Sequence, residues 1–600
     1  MKRNRKKDKP VIPQSRGQAT VIMKHERKPV WPSIVMLSVL LLVGYLIYSN
    51  TFSCSFHFDD IDSIVDNSAI RDIHNPGYIW NYWPTRFLTH LTIALNYHLH
   101  GLDVWGYHLF NLVVHLGSAI LVWWLTFLTL STPALKDQKI ARHVMAISFL
   151  TGMVFVAHPI QTQGVTYIIQ RAVSLTTLLY LASLSLYVKS RLLEEEGRSR
   201  IVSKCLYGLS LITAVMAMFA KEAAITLPLM ICLYEFSFLM TKKSSTWKRL
   251  VPFILTLFII PITMLLTKSV SFAGMHRIAE PGPGISSWHY LLTQFRVITT
   301  YIRLVFLPFN QNLDYDYPIA KTLLDLPTLA SLFFLIGVLI LAIKLFRNYR
   351  LISFGIFWFL LSLLPESSVI PIKDVIFEHR LYLPVVGYSI FLVSGIYYLF
   401  REERIKFSVL AISLLIIVYS ILTYQRNQVW KNEFSLWNDV IRKSSLKARP
   451  YANRGDAYND KGSYDQAISD YNKSIELKPD YFEAYLHRGN SYYAKGSYDQ
   501  AISDYTKAIE LNPGYAEAYS NRAGVYDDKG NYDQAISDYS KAIEFNPTLP
   551  QIYYNRGLVY TRKNMLDQAI ADYTKAIELN PNFTQAYYSR AMIYNRYPRK

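Results

Sequence analysis

Between residues 31 and 424 the chain is a succession of apolar runs, each near the length of a bilayer crossing, and nothing else in it restricts the fold so tightly. Hydrocarbon offers no water to backbone N–H and C=O groups, so a spanning segment must be a helix or part of a closed barrel. A helix needs about 20 apolar residues and a barrel strand about half as many. The runs lie near 31–50, 107–130, 141–157, 172–188, 205–221, 223–240, 251–267, 326–346, 352–365, 384–400 and 406–424. Their lengths predict helices throughout, about 11 of them. A further run at 288–307 carries Arg296 and Arg303 on one helical face, which suits a helix lying in the interface.

Charge sets the orientation. With 288–307 at the surface, the N-terminus falls inside and the C-terminus outside. The loops at 131–140, 189–204, 241–250, 344–350 and 401–406 are then inside, each with two to five Lys or Arg. The outside segment 51–106 holds only Arg71 and Arg86 against six aspartates, so the arrangement obeys the positive-inside bias. Residues 1–30 form a basic cytoplasmic tail with ten Lys or Arg. Directly before a span, such residues read as an orientation signal in preference to a nucleic-acid surface, and no small-residue cleavage site follows the first run. A net charge of +19 beside 51% hydrophobic content excludes an ordinary soluble domain. The three cysteines, Cys54, Cys205 and Cys232, offer neither a disulfide framework nor a zinc spacing.

From 448 the pattern changes to self-similarity. GSYDQAISDYNKSIELKP returns as GSYDQAISDYTKAIELNP, GNYDQAISDYSKAIEFNP and NMLDQAIADYTKAIELNP, with Pro479, Pro513, Pro547 and Pro581 spaced by 34. That period resembles the tetratricopeptide repeat, a helix–turn–helix unit that stacks into a solenoid with a concave groove. Small residues at Gly455, Gly489, Ala523 and Gly557 face Ala467, Ala501, Ala535 and Ala569, with Tyr451, Tyr485, Tyr519 and Tyr553 expected to fill the space between helices. The resemblance places Asp456, Asn459, Asp460, Asn490, Tyr493, Asp527 and Asp528 toward the groove, a seat for a peptide or protein. The organisation is thus a tail (1–30), a membrane domain (31–424), a linker (425–447) and repeats (448–596).

Ionisable residues at a membrane boundary are functional candidates by default. Asp59, Asp60, His158, Arg171, Lys221, Glu222, Glu378, His379 and Arg380 all fall at span ends on the predicted outer side. Scattered structural ion pairs have no reason to prefer one side. The acidic string FDDIDSIVDN follows the first span. It admits a general base, a divalent metal site, or a helix cap and solvated loop. Arg171, Lys221 and Arg380 offer three cations of the kind a phosphate or pyrophosphate leaving group needs. His108, Asn111 and His115 share one helical face, where hydrogen bonding between spans is the favoured role.

With FDD at 58–60, HLFNLVVH at 108–115, HPIQTQ at 158–163, AKE at 220–222, EHRLYLP at 378–384 and the repeats in this order, the chain resembles the transmembrane-and-tetratricopeptide (TMTC-like) O-mannosyltransferases. These belong to the C superfamily of membrane glycosyltransferases. The resemblance implies an all-α, GT-C-like membrane domain followed by a tetratricopeptide α-solenoid. It also implies inverting transfer of a sugar from a polyprenyl- or dolichyl-phosphate donor to a protein or glycan acceptor on the outer or luminal face. Asp59 and Asp60 map onto the catalytic acidic motif. Arg171, Lys221 and Arg380 map onto the basic residues that hold the lipid phosphate, and Arg86, His158, Glu222, Glu378 and His379 are expected beside them as substrate-binding residues. No metal ligands are assigned, no cofactor is required, and a divalent metal is admitted. A bacterial inner membrane with periplasmic repeats is the expected setting, or an endoplasmic reticulum in a eukaryote. Gln163, Phe87 and the His379–Arg380 pair depart from the family pattern. Two rival readings are an inactive membrane-anchored repeat scaffold and a lipid-sugar transporter; clustering of the charges at one face, away from the midplane, counts against the transporter.

Overall fold

The computed structural model describes residues 31–197, 199–240, 247–267, 285–372, 374–400 and 404–596. The basic tail 1–30 and parts of the loops 241–250 and 401–406 lie outside the described residues. Among the described residues, eight helices are long and apolar enough to cross a membrane: Val104–Leu130, Lys139–Ala157, Ile168–Glu195, Arg200–Met218, Glu222–Leu239, Trp247–Leu266, Leu326–Leu345 and Ile405–Val429. Three shorter apolar helices, Ser33–Tyr48, Arg350–Leu363 and Pro384–Phe400, coincide with three further predicted runs. Ser287–Phe306 is amphipathic, and its two arginines reach nearby loop carbonyls, Arg296 that of Pro318 at 3.3 Å and Arg303 that of Phe309 at 3.1 Å.

Packing inside the membrane half follows from small residues and buried hydroxyls. Gly355 and Gly387 bring Arg350–Leu363 and Pro384–Phe400 together: a Cβ on either would meet the other's carbonyl oxygen at 2.5 or 2.6 Å. Ser183 and Ser210 exchange bonds to each other's carbonyls at 2.8 and 2.7 Å, and Ser190 and Ser203 do the same two turns away. His108 and Asn111 bond to the carbonyls of Cys54 and Val165, and His115 to the Tyr382 hydroxyl, the inter-helix role expected of that face.

The repeats are four helix pairs, Ala448–Asp460 with Tyr464–Leu477, Phe482–Ala494 with Tyr498–Leu511, Ala516–Asp528 with Tyr532–Phe545, and Pro550–Arg562 with Leu566–Leu579, closed by Thr584–Arg596. Gly462, Gly496 and Gly530 turn between partners at φ of +73°, +76° and +74°, a left-handed conformation that favours glycine. The ring against the small positions is not the expected Tyr451 series. It is Tyr471, Tyr505 and Tyr573, which a Cβ on Gly455, Gly489 or Gly557 would meet at 2.7 Å. The expected tyrosines sit one helical position away and are mostly half-exposed, because the i+16 residue of the second helix, and no first-helix residue, faces the gap.

The segment 425–447, expected as a linker, is folded. Residues 425–429 finish the last long helix, and Glu433–Lys443 is a helix of its own with Trp437 buried. Arginines at 34-residue intervals explain its role. Arg488, Arg522, Arg556 and Arg590 each donate from Nη1 to a residue 16 positions back in the preceding repeat, Asn472, Thr506, Ser540 and Thr574. Arg454 does the same to Asn438 at 2.7 Å. Glu433–Lys443 therefore takes the place of a second helix in a half-repeat that starts the solenoid. Trp430, Trp437 and Val440 pack into one apolar cluster with Cys54, Ile64, Tyr107, Tyr167 and Ile168, so the array grows from the membrane domain's own loops.

Candidate active site

Two groups of charged residues form on the predicted outer side. The first surrounds the acidic string. His57 anchors it: its ring bonds the Trp430 carbonyl at 2.6 Å and Glu433 at 2.8 Å, and its N–H donates to Asp60. Asp60 is fully buried and accepts from the N–H of His57 at 3.0 Å and of Ile169 at 2.7 Å. Burial pushes its carboxyl up to about 7 against those two bonds. With one backbone donor on each oxygen, Asp60 holds two chain segments together. Asp59 is half-buried and freer. Its N–H meets the Tyr167 hydroxyl oxygen at 2.9 Å, and that hydroxyl also serves its carboxylate. Burial raises the Asp59 carboxyl, while the Tyr167 hydroxyl and Arg449 oppose the shift. Phe58 before it is held at φ +48°, between Trp437 at 5.9 Å and Arg449 at 5.2 Å. A non-glycine residue there stores roughly 1 kcal/mol or more of strain that its surroundings must hold.

The second group assembles at the ends of three spans. Arg86 donates to Glu222 at 3.1 Å, and Thr85 donates to the same carboxylate at 2.6 Å. Lys221 pairs with Glu366 at 2.6 Å, and Arg380 lies 3.9 Å from the other oxygen of Glu366. Burial works against ionisation of Glu366, but Lys221 and Arg380 overcome it and hold its carboxyl below the usual range. His379 is buried among these cations. Burial, then Lys221, Arg380 and Arg86, hold its imidazole neutral, far below its usual value, and its Nδ1 has no hydrogen-bond partner. Three cations against two carboxylates leave the group net positive. The segment 374–380 joins the two groups. Arg380 donates to the Asp374 carbonyl at 2.8 Å, and the Asp374 carboxylate takes Arg449 at 2.8 Å.

Of the residues singled out from sequence, Arg86, Lys221, Glu222, His379 and Arg380 come together. Arg171 does not join them: its fully buried guanidinium is bonded to Asn111 at 2.7 Å and to the carbonyls of Thr92 and Tyr107. His158 is likewise interior, with Nε2 2.9 Å from the Val305 carbonyl oxygen and its ring against Tyr388 and Tyr419. Glu378 points away from His379 and accepts from Asn312 N–H and the Tyr315 hydroxyl at 2.5 and 2.6 Å. Among the described residues no three His, Cys, Asp or Glu side chains converge as a metal site would require.

Three residues escaped the reading of the sequence. Glu366 ends an apolar run and obeys the boundary rule that found the others. Tyr167 gave no signal, since an aromatic in an outer loop is ordinary. Arg449 sits in the first helix of the repeats, yet it grips Asp314 at 2.6 Å and Asp374 at 2.8 Å and lies over Phe58. Lys447 adds a further contact to Asp314.

Comparison with known proteins bears on both halves. Tetratricopeptide-repeat family models match residues 455–496, 482–515, 504–537, 525–564 and 550–583. Protein O-mannosyl-transferase Tmtc3 of Drosophila melanogaster is 25% identical over 72% of this chain and 54% of its own length. Protein O-mannosyl-transferase F38B6.6 of Caenorhabditis elegans is 25% identical over 74% of this chain and 63% of its own. The human protein O-mannosyl-transferase TMTC3 is 24% identical over 75% of this chain and 52% of its own. The chain resembles the TMTC proteins. The likeness extends well beyond the repeats into the helical half, and the chain spans about half to two-thirds of the length of these relatives.

Proposed function

We propose that the chain is a membrane glycosyltransferase, which moves a sugar, mannose by the names of its relatives, from a polyprenyl- or dolichyl-phosphate donor to a hydroxyl of a protein or glycan. The reaction takes place at the outer face, where the repeats also stand, with the N-terminus in the cytoplasm. The observation that carries this reading is the gathering of Arg86, Lys221 and Arg380 around a neutral His379, one short segment away from Asp59. A lipid-phosphate sugar has one negative charge on its phosphodiester, and the departing lipid phosphate gains a second. A net-positive, partly buried cluster stabilises that developing charge more than the ground state, which is what lowers a barrier.

Asp59 acts as the base. The acceptor oxygen attacks the anomeric carbon as the bond from that carbon to the phosphate oxygen breaks, with inversion, and the hydroxyl proton passes to Asp59. Asp60 positions Asp59 through its two backbone bonds. Glu222 and Glu366 orient the cations. Arg171, His158 and Glu378 support the scaffold around donor binding and need not touch the donor. The repeats bind the acceptor.

The test is transfer of radiolabelled mannose from purified polyprenyl-phosphate mannose in membranes. Asp59→Asn is expected to lower the rate by about a hundredfold or more, the range for loss of a general base, with protein level unchanged. Equal rates for wild type and variant would remove Asp59 from the chemistry. No transfer from any lipid-linked donor would leave a membrane-anchored repeat scaffold as the function.

A further inference from the structure

The four repeats share a tyrosine in the second helix whose hydroxyl turns toward the concave face. Tyr471 donates to Asp456 at 2.7 Å, Tyr505 to Asn490 at 2.8 Å, and Tyr573 meets Thr561 at 2.9 Å. Tyr539, in the third repeat, is only 3% exposed, and among the described residues its hydroxyl finds no hydrogen-bond partner. The reason is in the sequence. Where the first two repeats place Asp456 and Asn490, the third has Gly524, and the residue equivalent to Thr561 is Asp527, which is turned to Arg562. A Cβ at 524 would meet only the Tyr539 hydroxyl, at 3.7 Å. The missing side chain bares the Tyr539 hydroxyl in a hollow of about 450 Å³ in the groove, which Asn521, Asp527 and Asp528 also line.

The hollow carries negative charge and open acceptors. Asp527 Oδ1 is buried without a partner, and Asp528 has only the Tyr493 hydroxyl on Oδ2. Asn521 spends its amide N–H on Asn490. A buried acceptor left unmatched is costly, so the complement is a group that donates several hydrogen bonds and carries positive charge. Arg562 neutralises one carboxylate and leaves the second.

We propose that this hollow binds a lysine or arginine side chain of an extended polypeptide, and that the third repeat is thereby the selective unit of the groove. The proposal rests on the glycosyltransferase reading only in taking that polypeptide to be the acceptor; binding is measured without any donor. The probe is a fluorescent peptide of Ser, Thr and Ala with one central lysine, beside a twin carrying norleucine there, titrated by anisotropy against the full-length protein in detergent. The lysine peptide is expected to bind at least tenfold more tightly, with the preference shrinking as salt rises.

Gly524→Asn puts an amide into the hollow beside the Tyr539 hydroxyl and gives Tyr539 the partner that Tyr505 has. It sits inside a helix, where asparagine is no worse than glycine, and it is expected to abolish the preference while leaving the melting temperature unchanged or higher. Tyr539→Phe keeps the ring and removes the hydroxyl, and is expected to reduce the preference severalfold. Equal affinity of wild type for the two peptides overturns the proposal, as does a preference that survives in Gly524→Asn. Loss of transfer in Asp59→Asn with peptide preference intact would leave both readings standing. An inactive wild type that still prefers lysine would remove the acceptor assignment alone.

Discussion

The two halves of this molecule solve the same problem, holding buried charge, in opposite ways. In the repeats one solution is copied: Arg454–Asp470, Arg488–Asp504, Arg522–Asp538 and Arg556–Asp572 are all two-pronged pairs at i, i+16, with every contact between 2.7 and 2.9 Å. In the membrane half no pair repeats. Lys221–Glu366, Arg86–Glu222 and Arg191–Glu235 each join different loops or helices, with separations from 44 to 145 residues. The copied pairs serve stability, where any unit is as good as the next. The singular ones gather on the predicted outer side or between two spans, where only one placement serves.

The junction between the halves is where this contrast can be broken most severely. Arg449 belongs to the repeats by sequence and to the loops by contact. Arg449→Met leaves Asp314, only 3% exposed, with Lys447 alone. Breaking a buried pair from one side costs about 3 kcal/mol, so the array is expected to undock. Hydrogen exchange should rise in residues 433–460 while the distal repeats stay protected, and Arg449→Lys should recover part of the protection. Unchanged exchange would mean the halves are held by the apolar cluster around Trp437.

A smaller effect sharpens the claim of copying. Methionine in place of Arg488, Arg522 or Arg556 leaves a mostly buried aspartate unmatched, at about 1–3 kcal/mol. The three losses, read from urea unfolding followed at the repeats, should agree within about 0.5 kcal/mol if the units are equivalent. One rung differing by several kcal/mol would show that the repeats are not interchangeable.

The smallest effect concerns a groove position where one copy alone carries a histidine. His487 stands where the other repeats have Asn453, Asn521 and Asn555, and it pairs with Asp456. Burial lowers its affinity for a proton, and Asp456 more than restores it, lifting the imidazole to about 9. A raised histidine adds stability in full below its unfolded value of about 6.5, and that contribution is lost as pH rises through 9. Because both partners are more than a third exposed, about 1 kcal/mol is expected after screening. Thermal unfolding of wild type should therefore lose stability between pH 6.5 and 9 relative to His487→Asn, and parallel curves would remove the pair from the account.

The same contrast explains what could be read in advance. The repeats were legible almost to the residue, because each packing constraint is printed four times and shows as periodicity. Even there, the ring filling the gap was misassigned, since two tyrosine series recur with one period and only geometry tells them apart. The half-repeat at 433–443 escaped because Glu433 and Trp437 replace the alanine and tyrosine that mark the other copies. In the membrane half the apolar lengths gave the helices, and the side of the bilayer gave a pool of charged residues. Nothing in the chain's order separated Arg171, satisfied by Asn111 and two carbonyls, from Arg380, which joins the cation cluster. The contacts that occupy Arg171 reach back 60 residues or more.

The half-repeat has a consequence for distance. Because the solenoid is rooted in the same cluster that holds Tyr167 and Trp430, its first unit cannot swing away from the acidic string without opening that core. Every later unit then stands at a separation fixed by how many copies precede it. The array works as a ruler with whole-number marks: duplicating one repeat would carry the hollow at Gly524 one mark outward, and the offset along a bound polypeptide between its held residue and its reacting hydroxyl would lengthen by the same step.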